Sequence, residues 1–532
     1  MNNVMPKAYR SMVTSPHYLA SQVGSALLER GGNAIDAAVA ISAALAVVYP
    51  HMTGIGGDSF FLIYSAKEGK VVGLNGTGRA ALAAQPEKSL RECGGRLPDR
   101  GVRSALTVPG MVDSWWEVWS KYGKLTWEEL LRPALEYAAI GFPISRDLHA
   151  WMKRDEALLR ADPVLRELYM DSLTNAIKPE GAKLVQPGLA QSLRILVNEG
   201  REAFYRGALM REIVDAVRKD GGILDEEDFA SHHSDWVEPL SVDYRGKTIY
   251  QMPPNSQGFS LLMMLNMLET MNLQGVDRKS ADFYHLVTEV IKRAFRYRDA
   301  YLSDPEFVQI PIAHLLSKEL ANKLAAEIDS PAKMASSFES VPSGQDTAYA
   351  AVIDEEGNAV SFIQSLYYDF GSAYVAGKTG IILQNRGSYF SLDDAHPNVL
   401  APGKRTFHTL MPGMALMDGK PCLLMGTQGG EGQPQTQLSL ITGVLDYGYT
   451  IQEAIGLPRW VYGRTWGEES DTLKIENRDL GKETGRLEEW GHEVELVGPW
   501  DGVMGQAQGI QIDDGVISGA ADPRGDGLAI GR

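Results

Sequence analysis

The sequence predicts a mixed α/β protein, because helical and strand patterns alternate along a chain with the composition of a folded globular protein. Of its 532 residues, 44% are hydrophobic and 22% are charged, which suits a sizeable core and excludes disordered, collagen-like and low-complexity classes. Length alone suggests about three or four domains at roughly 150 residues each, with one large α/β unit as the alternative. Helical periodicity dominates Trp115 to Glu319, and short apolar runs beside glycine-containing turns indicate strands on either side of this region.

The charge balance and the cysteine content exclude further classes. Lys plus Arg is 51 and Asp plus Glu is 68, a formal net charge of −17, which is the wrong sign for nucleic acid or an anionic membrane surface as a partner. Cys93 and Cys422 cannot form a disulfide framework and are interpreted as packed thiols. The N-terminus lacks the apolar run of a signal peptide, and the longest apolar stretch, Ala34 to Val48, is too short to span a bilayer. We therefore expect a cytoplasmic protein.

Two features near the N-terminus predict a buried helix and a strand. Asn33 supplies an N-cap for the Ala-rich run from Ala34 to Ala40. The segment Gly54 to Gly57 leads through a tight turn into the apolar run Ser59 to Tyr64, a strand candidate. A nucleotide-binding fingerprint has the opposite order, with a strand before the glycines and a helix after them, so we expect no phosphate site here.

The second half of the chain changes composition abruptly. The stretch from Ile328 to Asp346 is rich in Ser, Pro and Ala and offers little to a core. Immediately afterwards, Thr347 to Tyr367 predicts a β-hairpin that turns at Glu355 to Asn358. The other predicted elements are helices at Leu261 to Met271 and Phe283 to Tyr297 and short strand cores at Gly380 to Leu383 and Leu423 to Met425.

Familiar catalytic and metal motifs are absent from the sequence, which contains no HExxH, no Walker loop and no G-x-S-x-G. The pair His232-His233 is a weak metal candidate, because neighbours on a strand face opposite sides, and a polar surface loop is the favoured interpretation. Asp225-Glu226-Glu227 is typical of a solvated helix start. We expect no metal and no cofactor.

A series of short motifs extends over nearly the whole chain. In order, they are Gly32 to Ala40, Gly54 to Gly57, Val108-Pro109-Gly110, Pro253 to Gly258, Arg298 to Pro305, Asp346-Thr347, Val375-Ala376-Gly377, Gly426 to Gly430 and Gly519 to Arg524. Together they resemble the γ-glutamyltransferases (glutathione hydrolases) and their relatives, the γ-glutamyltransferase-like cephalosporin or glutaryl acylases.

This resemblance implies an N-terminal-nucleophile hydrolase fold, a four-layer αββα sandwich of two stacked, mainly antiparallel sheets, made as an inactive precursor. Such a precursor cuts its own backbone, here between Asp346 and Thr347, giving a large subunit of residues 1–346 and a small one of residues 347–532. A hydroxyl is a weak nucleophile without a base, whereas a freed α-amine has a reference pKa of about 7.7–8.0 and can accept its proton near neutral pH. Thr347 would then be nucleophile and base in one residue.

Further catalytic residues follow from the resemblance by position. Gly429 and Gly430 match the family's pair of glycine amides that hold the developing oxyanion, with a simple turn as the alternative. Ser365 falls where the family has a threonine hydroxyl that orients the nucleophile, with an ordinary strand serine as the alternative. Arg79 matches the arginine that grips the α-carboxylate of the glutamyl group. The acidic residues that flank the family arginine are missing here, so a surface arginine stays the alternative.

The substrate pocket departs from the family pattern, while the nucleophile and the oxyanion glycines are kept. Tyr367 replaces a substrate-binding Asn, Arg386 replaces a Gln, Tyr389 replaces the Asp that pairs with the α-ammonium, and His408 and Thr409 replace two serines that fix the substrate carboxylate. An ammonium without its carboxylate partner is costly to desolvate. We therefore hypothesise acyl groups such as glutaryl, with a distal carboxylate and no ammonium, or γ-glutamyl amides that bind differently.

Several alternatives stay open. The loop from Ser391 to Lys404 is shorter than in family members with a lid, which implies an open cleft that admits bulky amines. Either water or an amine could resolve the acyl-enzyme. A cephalosporin acylase-like specificity is the rival among enzymes, and a non-catalytic relative that binds a dicarboxylate or peptide, without maturing, is the rival outside them.

Overall fold

Two antiparallel sheets form the centre of the protein. The computed structural model describes residues 4–328, 346–463, 470–478, 480–481 and 483–532. The seven-stranded first sheet has the spatial order β1 (Lys7–Ala8), β18 (Val516–Ala521), β17 (Ala507–Asp513), β13 (Lys420–Thr427), β12 (Gly413–Met417), β9 (Lys247–Gln251) and β8 (Leu240–Tyr244). The seven-stranded second sheet has the order β19 (Leu528–Gly531), β2 (Met12–Ser15), β10 (Asp346–Ile353), β11 (Ala359–Tyr367), β3 (Asp58–Ser65), β4 (Lys70–Gly76) and β7 (Asp235–Val237).

Helices cover both outer faces. In chain order they are α1 (Tyr18–Glu29), α2 (Ala34–Val48), α3 (Pro86–Cys93), α4 (Met111–Tyr122), α5 (Trp127–Ile140), α6 (Arg146–Arg154), α7 (Glu156–Ala161), α8 (Pro163–Tyr169), α9 (Pro187–Glu199), α10 (Arg201–Tyr205), α11 (Ala208–Lys219), α12 (Glu226–Ser231), α13 (Gly258–Glu269), α14 (Ala281–Tyr301), α15 (Ile312–Leu315), α16 (Lys318–Ala326), α17 (Gln433–Leu445), α18 (Ile451–Gly456) and α19 (Glu483–Glu489). The smaller strands are β5 (Phe142–Pro143), β6 (Lys183–Leu184), β14 (Trp460–Tyr462), β15 (Leu473–Glu476) and β16 (Val494–Val497).

Three of the four hydrophobic clusters among the described residues define four layers. Side chains such as Phe60, Tyr349 and Met414 pack between the two sheets. The other face of the second sheet packs against a cluster that contains α2 and α5, and the other face of the first sheet packs against one that contains α13, α14 and α17. The predicted αββα arrangement is therefore confirmed.

The buried helix predicted after Asn33 is α2. The Asn33 side chain accepts hydrogen bonds from the backbone N–H groups of Ile35 and Asp36, and the Asp36 carboxylate accepts one from the Asn33 N–H, which forms a capping box. Every residue of α2 is buried. Because alanine side chains are small, α2 can pack closely on the second sheet, and their burial costs no rotamer freedom.

Most of the other predicted elements are also present. The hairpin is β10 and β11, and the helices expected near residues 261–271 and 283–297 are α13 and α14. Asp225 caps α12, and both cysteines are free. The strand predicted at Gly380 to Leu383 is wrong, since this run forms only isolated bridges to two separate segments, from Ile382 to Val375 and from Leu383 to Gly56.

The Ser- and Pro-rich stretch between Ile328 and Asp346 lies outside the described residues, apart from those two ends. Within the described part of the chain, none of the helices combines the length and apolar character that crossing a bilayer requires.

Candidate active site

Thr347 lies at the start of β10, where the pairing with β11 is irregular. Asp346 is opposite Tyr367, whereas Ala348 is opposite Gln364. Tyr349, two residues further along the strand, packs between the two sheets, and alternation along a strand places Thr347 on that same face. Thr347 is 1% exposed, so the proposed nucleophile is buried at one end of the space between the sheets.

The predicted oxyanion glycines lie in a turn whose next residue, Gln433, contacts Thr347. Gln433, the first residue of α17, donates from Nε2 to Thr347 Oγ1 at 3.4 Å, and the 3₁₀ turn Gly430–Gly432 directly precedes it. Gly429 and Gly430 have φ values of 122° and 50°, which favour glycine. The Gly429 carbonyl accepts from the Gly432 N–H at 2.8 Å, which closes this turn.

Ser365 is held by its neighbours on two sides. It is opposite Asp58 of β3, and its Oγ accepts from the backbone N–H of Tyr367 at 2.7 Å. A Cβ added to Gly57 would lie 2.2 Å from the Ser365 carbonyl oxygen. The glycine-rich segment that precedes β3 is therefore needed for a close backbone approach to the strand that carries Ser365.

Arg386 and two tyrosines form a buried cluster beside the nucleophile. Arg386 is 1% exposed, and its guanidinium carbon lies 4.1 Å from the centre of the Tyr367 ring. None of its three guanidinium nitrogens has a hydrogen-bond partner in the described part of the chain. Burial lowers the pKa of Arg386 to about 10. The Tyr389 ring lies 5.4 Å from that of Tyr367 and 4.5 Å from that of Phe407.

Glu431 joins this cluster to the glycine turn. Its carboxylate accepts from Tyr389 Oη at 3.3 Å and from Arg298 Nη2 at 2.8 Å. Arg298 also donates to Gln257 Oε1 at 3.2 Å. Since Glu431 lies within the turn that begins at Gly430, the aromatic cluster and the oxyanion glycines form one connected structure.

His408 and Asp58 form a second buried pair. His408 Nε2 lies 3.4 Å from Asp58 Oδ2, and both residues are fully buried. Asp58 Oδ1 accepts from the N–H groups of Gly78 and Gly110, each at 3.1 Å. Burial raises the pKa of Asp58 to about 6, against the opposing effect of Arg386. Burial, together with the charge of Arg386, lowers the pKa of His408 well below its usual value.

Thr409 is linked to the rest of the site through its backbone carbonyl. Gln257 Nε2 donates to the carbonyls of Thr409, at 2.8 Å, and of Gly430, at 3.0 Å. Gln257 therefore fixes the two segments relative to each other.

Arg79 is paired with carboxylates of the protein itself. Its guanidinium donates to both carboxylate oxygens of Glu306, at 2.9 and 3.0 Å, and lies 3.7 Å from Asp304 and 3.6 Å from Asp235. A substrate carboxylate would have to share this arginine with Glu306, so its binding role stays a prediction.

The shortened loop predicts an open cleft, whereas the site of the continuous chain is closed. Thr347, Arg386 and Tyr389 are each at most 4% exposed. The rings of Tyr367, Tyr389 and Phe407 pack together, and Arg386 lies over the Tyr367 ring.

Sequence reasoning missed several residues of the site, although each lies in or beside a recognised motif. They are Asp58 after the Gly54–Gly57 segment, Gln257 in the Pro253–Gly258 motif, Arg298 in the Arg298–Pro305 motif, and Glu431 and Gln433 after the oxyanion glycines. Their places in or beside these motifs indicated that they lie near the site. Glutamines and paired carboxylates, however, have no characteristic spacing in a sequence that predicts a catalytic role.

One group of potential metal ligands occurs among the described residues, namely His285, Glu289 and His492. The two histidines lie 2.8 Å apart as hydrogen-bond partners. Glu289 already accepts from Lys292 at 3.1 Å and Arg293 at 2.7 Å, and two adjacent cations oppose a metal ion.

The two adjacent histidines predicted to lie in a surface loop differ in their burial. His232 is buried and stacks on the Tyr205 ring at 5.1 Å, with its pKa lowered by burial to about 3, whereas His233 is exposed. The surface interpretation is therefore wrong for His232.

The gamma-glutamyltranspeptidase family profile matches residues 20–532. The chain belongs to this family. It is 50% identical over 523 residues to the glutathione hydrolase-like YwrD proenzyme of Bacillus subtilis, covering 98% of each chain. It is 38% identical over 527 residues to the oxamate amidohydrolase proenzyme of Klebsiella pneumoniae, again covering 98% of each. The crystal structure of cephalosporin acylase from Bacillus halodurans is similar with a TM-score of 0.90 and 34% identity, covering 100% of this chain and 97% of that one.

These similarities confirm the predicted family, the N-terminal-nucleophile hydrolase fold and the class of enzyme, an autoprocessing amidohydrolase or acyltransferase. The substrate and the roles of individual residues stay predictions.

Proposed function

We propose that the chain cuts itself between Asp346 and Thr347 and then removes acyl groups that carry a free carboxylate and lack a neighbouring ammonium. The observation that carries this proposal is Arg386, a fully buried cation whose guanidinium nitrogens have no hydrogen-bond acceptor among the described residues. Asp58 attracts this charge, but a buried guanidinium whose N–H groups lack hydrogen-bond acceptors is still costly. A substrate carboxylate, bound by two parallel N–H groups, would satisfy it.

The reaction follows from the groups around Thr347. In the mature protein, Thr347 Oγ attacks the amide carbonyl carbon, and its proton passes to the α-amine of the same residue. The N–H groups of Gly429 and Gly430 stabilise the oxyanion that forms. When the C–N bond breaks, the leaving amine takes the proton from the α-ammonium. Water or a second amine then attacks the ester and regenerates Thr347.

The same pocket disfavours an α-ammonium on the acyl group. Tyr389 offers no charge, and the carboxylate of Glu431 beside it is already paired with Arg298 at 2.8 Å. The charge of Arg386 would repel a second cation. An acyl group with a carboxylate alone therefore fits the electrostatics better than a γ-glutamyl group.

The names of similar proteins support this class of substrate. Oxamate, named for the Klebsiella relative, is an amide with a carboxylate and no ammonium. The glutathione hydrolase-like name of the Bacillus subtilis relative makes γ-glutamyl amides the second candidate. A cytoplasmic location stays part of the proposal.

Maturation is tested first by denaturing gel and intact mass. We expect fragments of about two-thirds and one-third of the 58.2 kDa chain, with Thr347 at the new N-terminus, and a Thr347→Ala protein that stays intact. A single uncut band from a protein without activity would support the non-catalytic alternative. A Thr347→Ala protein that still splits would refute the assignment of the nucleophile.

Substrate class is tested with amides that differ only in the acyl group. We expect higher kcat/KM for glutaryl p-nitroanilide than for γ-glutamyl p-nitroanilide, and release of ammonia from oxamate. A clear preference for γ-glutamyl p-nitroanilide or glutathione would overturn the proposal in favour of the second candidate.

A further inference from the structure

Gln433 contacts the hydroxyl of Thr347 and keeps a second polar atom without a hydrogen-bond partner among the described residues. It is fully buried, and its Nε2 supplies the one side-chain hydrogen bond that reaches Thr347 Oγ1 from the described residues, at 3.4 Å. The other end of the same amide, Oε1, is buried without a hydrogen-bond partner in the described part of the chain. A buried acceptor without a donor is destabilising, so this oxygen is suited to a group that forms later.

Self-cutting creates a new hydrogen-bond donor, the α-amine of Thr347, near Gln433. Cutting the bond between Asp346 and Thr347 turns an amide N–H into an α-amine, which becomes an α-ammonium each time it takes the proton of the Thr347 hydroxyl. The amine nitrogen and Oγ1 belong to one small residue, so a side chain that contacts Oγ1 is also near the nitrogen. Gln433 cannot move away easily, because it is the first residue of α17 and follows directly from the oxyanion turn.

We propose that Gln433 is a positioning residue that holds Thr347 Oγ1 with its Nε2 and accepts a hydrogen bond from the α-ammonium with its Oε1. This inference rests on the proposed function of Thr347 and extends it. In the precursor, the same contact would hold Oγ1 for attack on the carbonyl carbon of Asp346. A hydrogen bond to the charged form of the amine also raises its pKa.

Gln433→Glu and Gln433→Met test the two parts of this role. A carboxylate at this place favours the ammonium, so Gln433→Glu is expected to move the acidic limb of the kcat/KM profile to higher pH by about one unit or more. Methionine keeps the length but removes both polar atoms. We expect Gln433→Met to slow self-cutting and to lower kcat by about ten- to a hundredfold, with little change in KM.

Gln435 provides the matched control, because it is equally buried in the same helix and bonds the backbone of Tyr462 at 2.8 Å instead of Thr347. Gln435→Glu and Gln435→Met are expected to leave the acidic limb of the kcat/KM profile at its wild-type pH. If Gln433→Glu does not fold, the cutting rate and kcat of Gln433→Met still decide the question. The inference would be overturned if the acidic limb of the kcat/KM profile of Gln433→Glu lay at the wild-type pH. It would also be overturned if Gln433→Met cut itself and turned over at wild-type rates.

The failure of this inference differs from the failure of the proposed function. If the wild-type chain is not cut before Thr347, the proposed function fails. If the wild-type chain is cut and active while the Gln433 variants behave like the Gln435 variants, only the role of Gln433 fails.

Discussion

Arg386 links the specificity of the site to the chemistry of a single side chain. Stacking on Tyr367 at 4.1 Å gives the guanidinium a favourable face contact, but its N–H groups point to no acceptor among the described residues. Asp58 is attracted to Arg386 and is already bonded by the N–H groups of Gly78 and Gly110. The pocket therefore keeps a cation whose hydrogen-bonding capacity a ligand can use.

Removing this cation tests the carboxylate specificity. Hydrogen bonds to charged groups contribute about 1.5–3 kcal/mol each, and about 1.4 kcal/mol is tenfold in rate. With two such bonds, Arg386→Met is expected to lower kcat/KM for glutaryl p-nitroanilide by roughly 10²–10⁴-fold, measured by steady-state kinetics, while self-cutting continues. Arg96→Met is the control, since Arg96 is an exposed arginine paired with Asp99 at 2.9 Å. An unchanged kcat/KM in Arg386→Met would contradict the role.

Asp58 gives the site a pH dependence of stability. Its pKa of about 6 is above the ordinary value of 3.8, so between these values the folded protein binds more protons at Asp58 than the unfolded chain does. The contribution of this group to the free energy of unfolding is therefore present below about pH 4 and is lost as the pH rises to 6. A shift of about two units corresponds to about 3 kcal/mol.

Asp58→Asn removes this dependence. In urea unfolding of the uncut Thr347→Ala precursor, the unfolding free energy of the parent minus that of the Asp58→Asn variant is expected to fall between pH 4 and 6 and to level off above pH 6. Ser172→Ala, at an exposed residue that does not titrate in this range, should give a difference that does not change between pH 4 and 6. Parallel curves for parent and Asp58→Asn would contradict the prediction.

Sequence motifs predict candidate reacting residues of the site more readily than the residues that would position them. Thr347, Gly429 and Gly430 are predicted from motifs, and the turn Gly430–Gly432 directly precedes Gln433, which contacts Thr347. Gln433 and Asp58 were missed because their importance comes from contacts between distant parts of the chain. A glutamine or a buried carboxylate carries no local pattern that separates it from an ordinary polar residue.

Elements were predictable where the signal is local. The cap and alanine run of α2, the turn of the hairpin and the period of α13 and α14 all lie within one segment. The order of the sheets is set by tertiary contacts instead, since β1 pairs with β18 and β9 with β12. The strand prediction for Gly380 to Leu383 was wrong for the same reason, because tertiary contacts pair this run with two separate segments.

The glycine segment before β3 is the element that positions Ser365 most directly. Since a Cβ on Gly57 would lie 2.2 Å from the Ser365 carbonyl oxygen, Gly57→Ala is expected to displace β11 and to destabilise the precursor by about 1–3 kcal/mol. Self-cutting should slow as well. Urea unfolding and a time course of cutting measure both effects.

Gly485→Ala is the matched control for this prediction. Gly485 is an exposed residue within α19, and its Cβ would meet no atom within 4 Å. Alanine there should stabilise the protein by up to about 1 kcal/mol. Wild-type cutting and stability in Gly57→Ala would show that the close approach tolerates a methyl group.

At the scale of the whole molecule, the proposed cut divides the chain but not the sheets. The second sheet alternates segments from both sides of residue 347, with β2 between β19 and β10 and β11 beside β3. The first sheet does the same where β1 meets β18 and β9 meets β12. Each fragment alone would leave strand edges and core side chains exposed to water.

We therefore expect the two fragments of the mature protein to remain one particle. Native mass spectrometry should give a single species of the full mass, while a denaturing gel shows two bands. Because unfolding then releases two chains, the midpoint of thermal unfolding should rise with protein concentration for the mature form and not for the uncut Thr347→Ala precursor, which supplies the matched control. Fragments that separate on native gel filtration, or a midpoint independent of concentration in both forms, would contradict an interleaved pair.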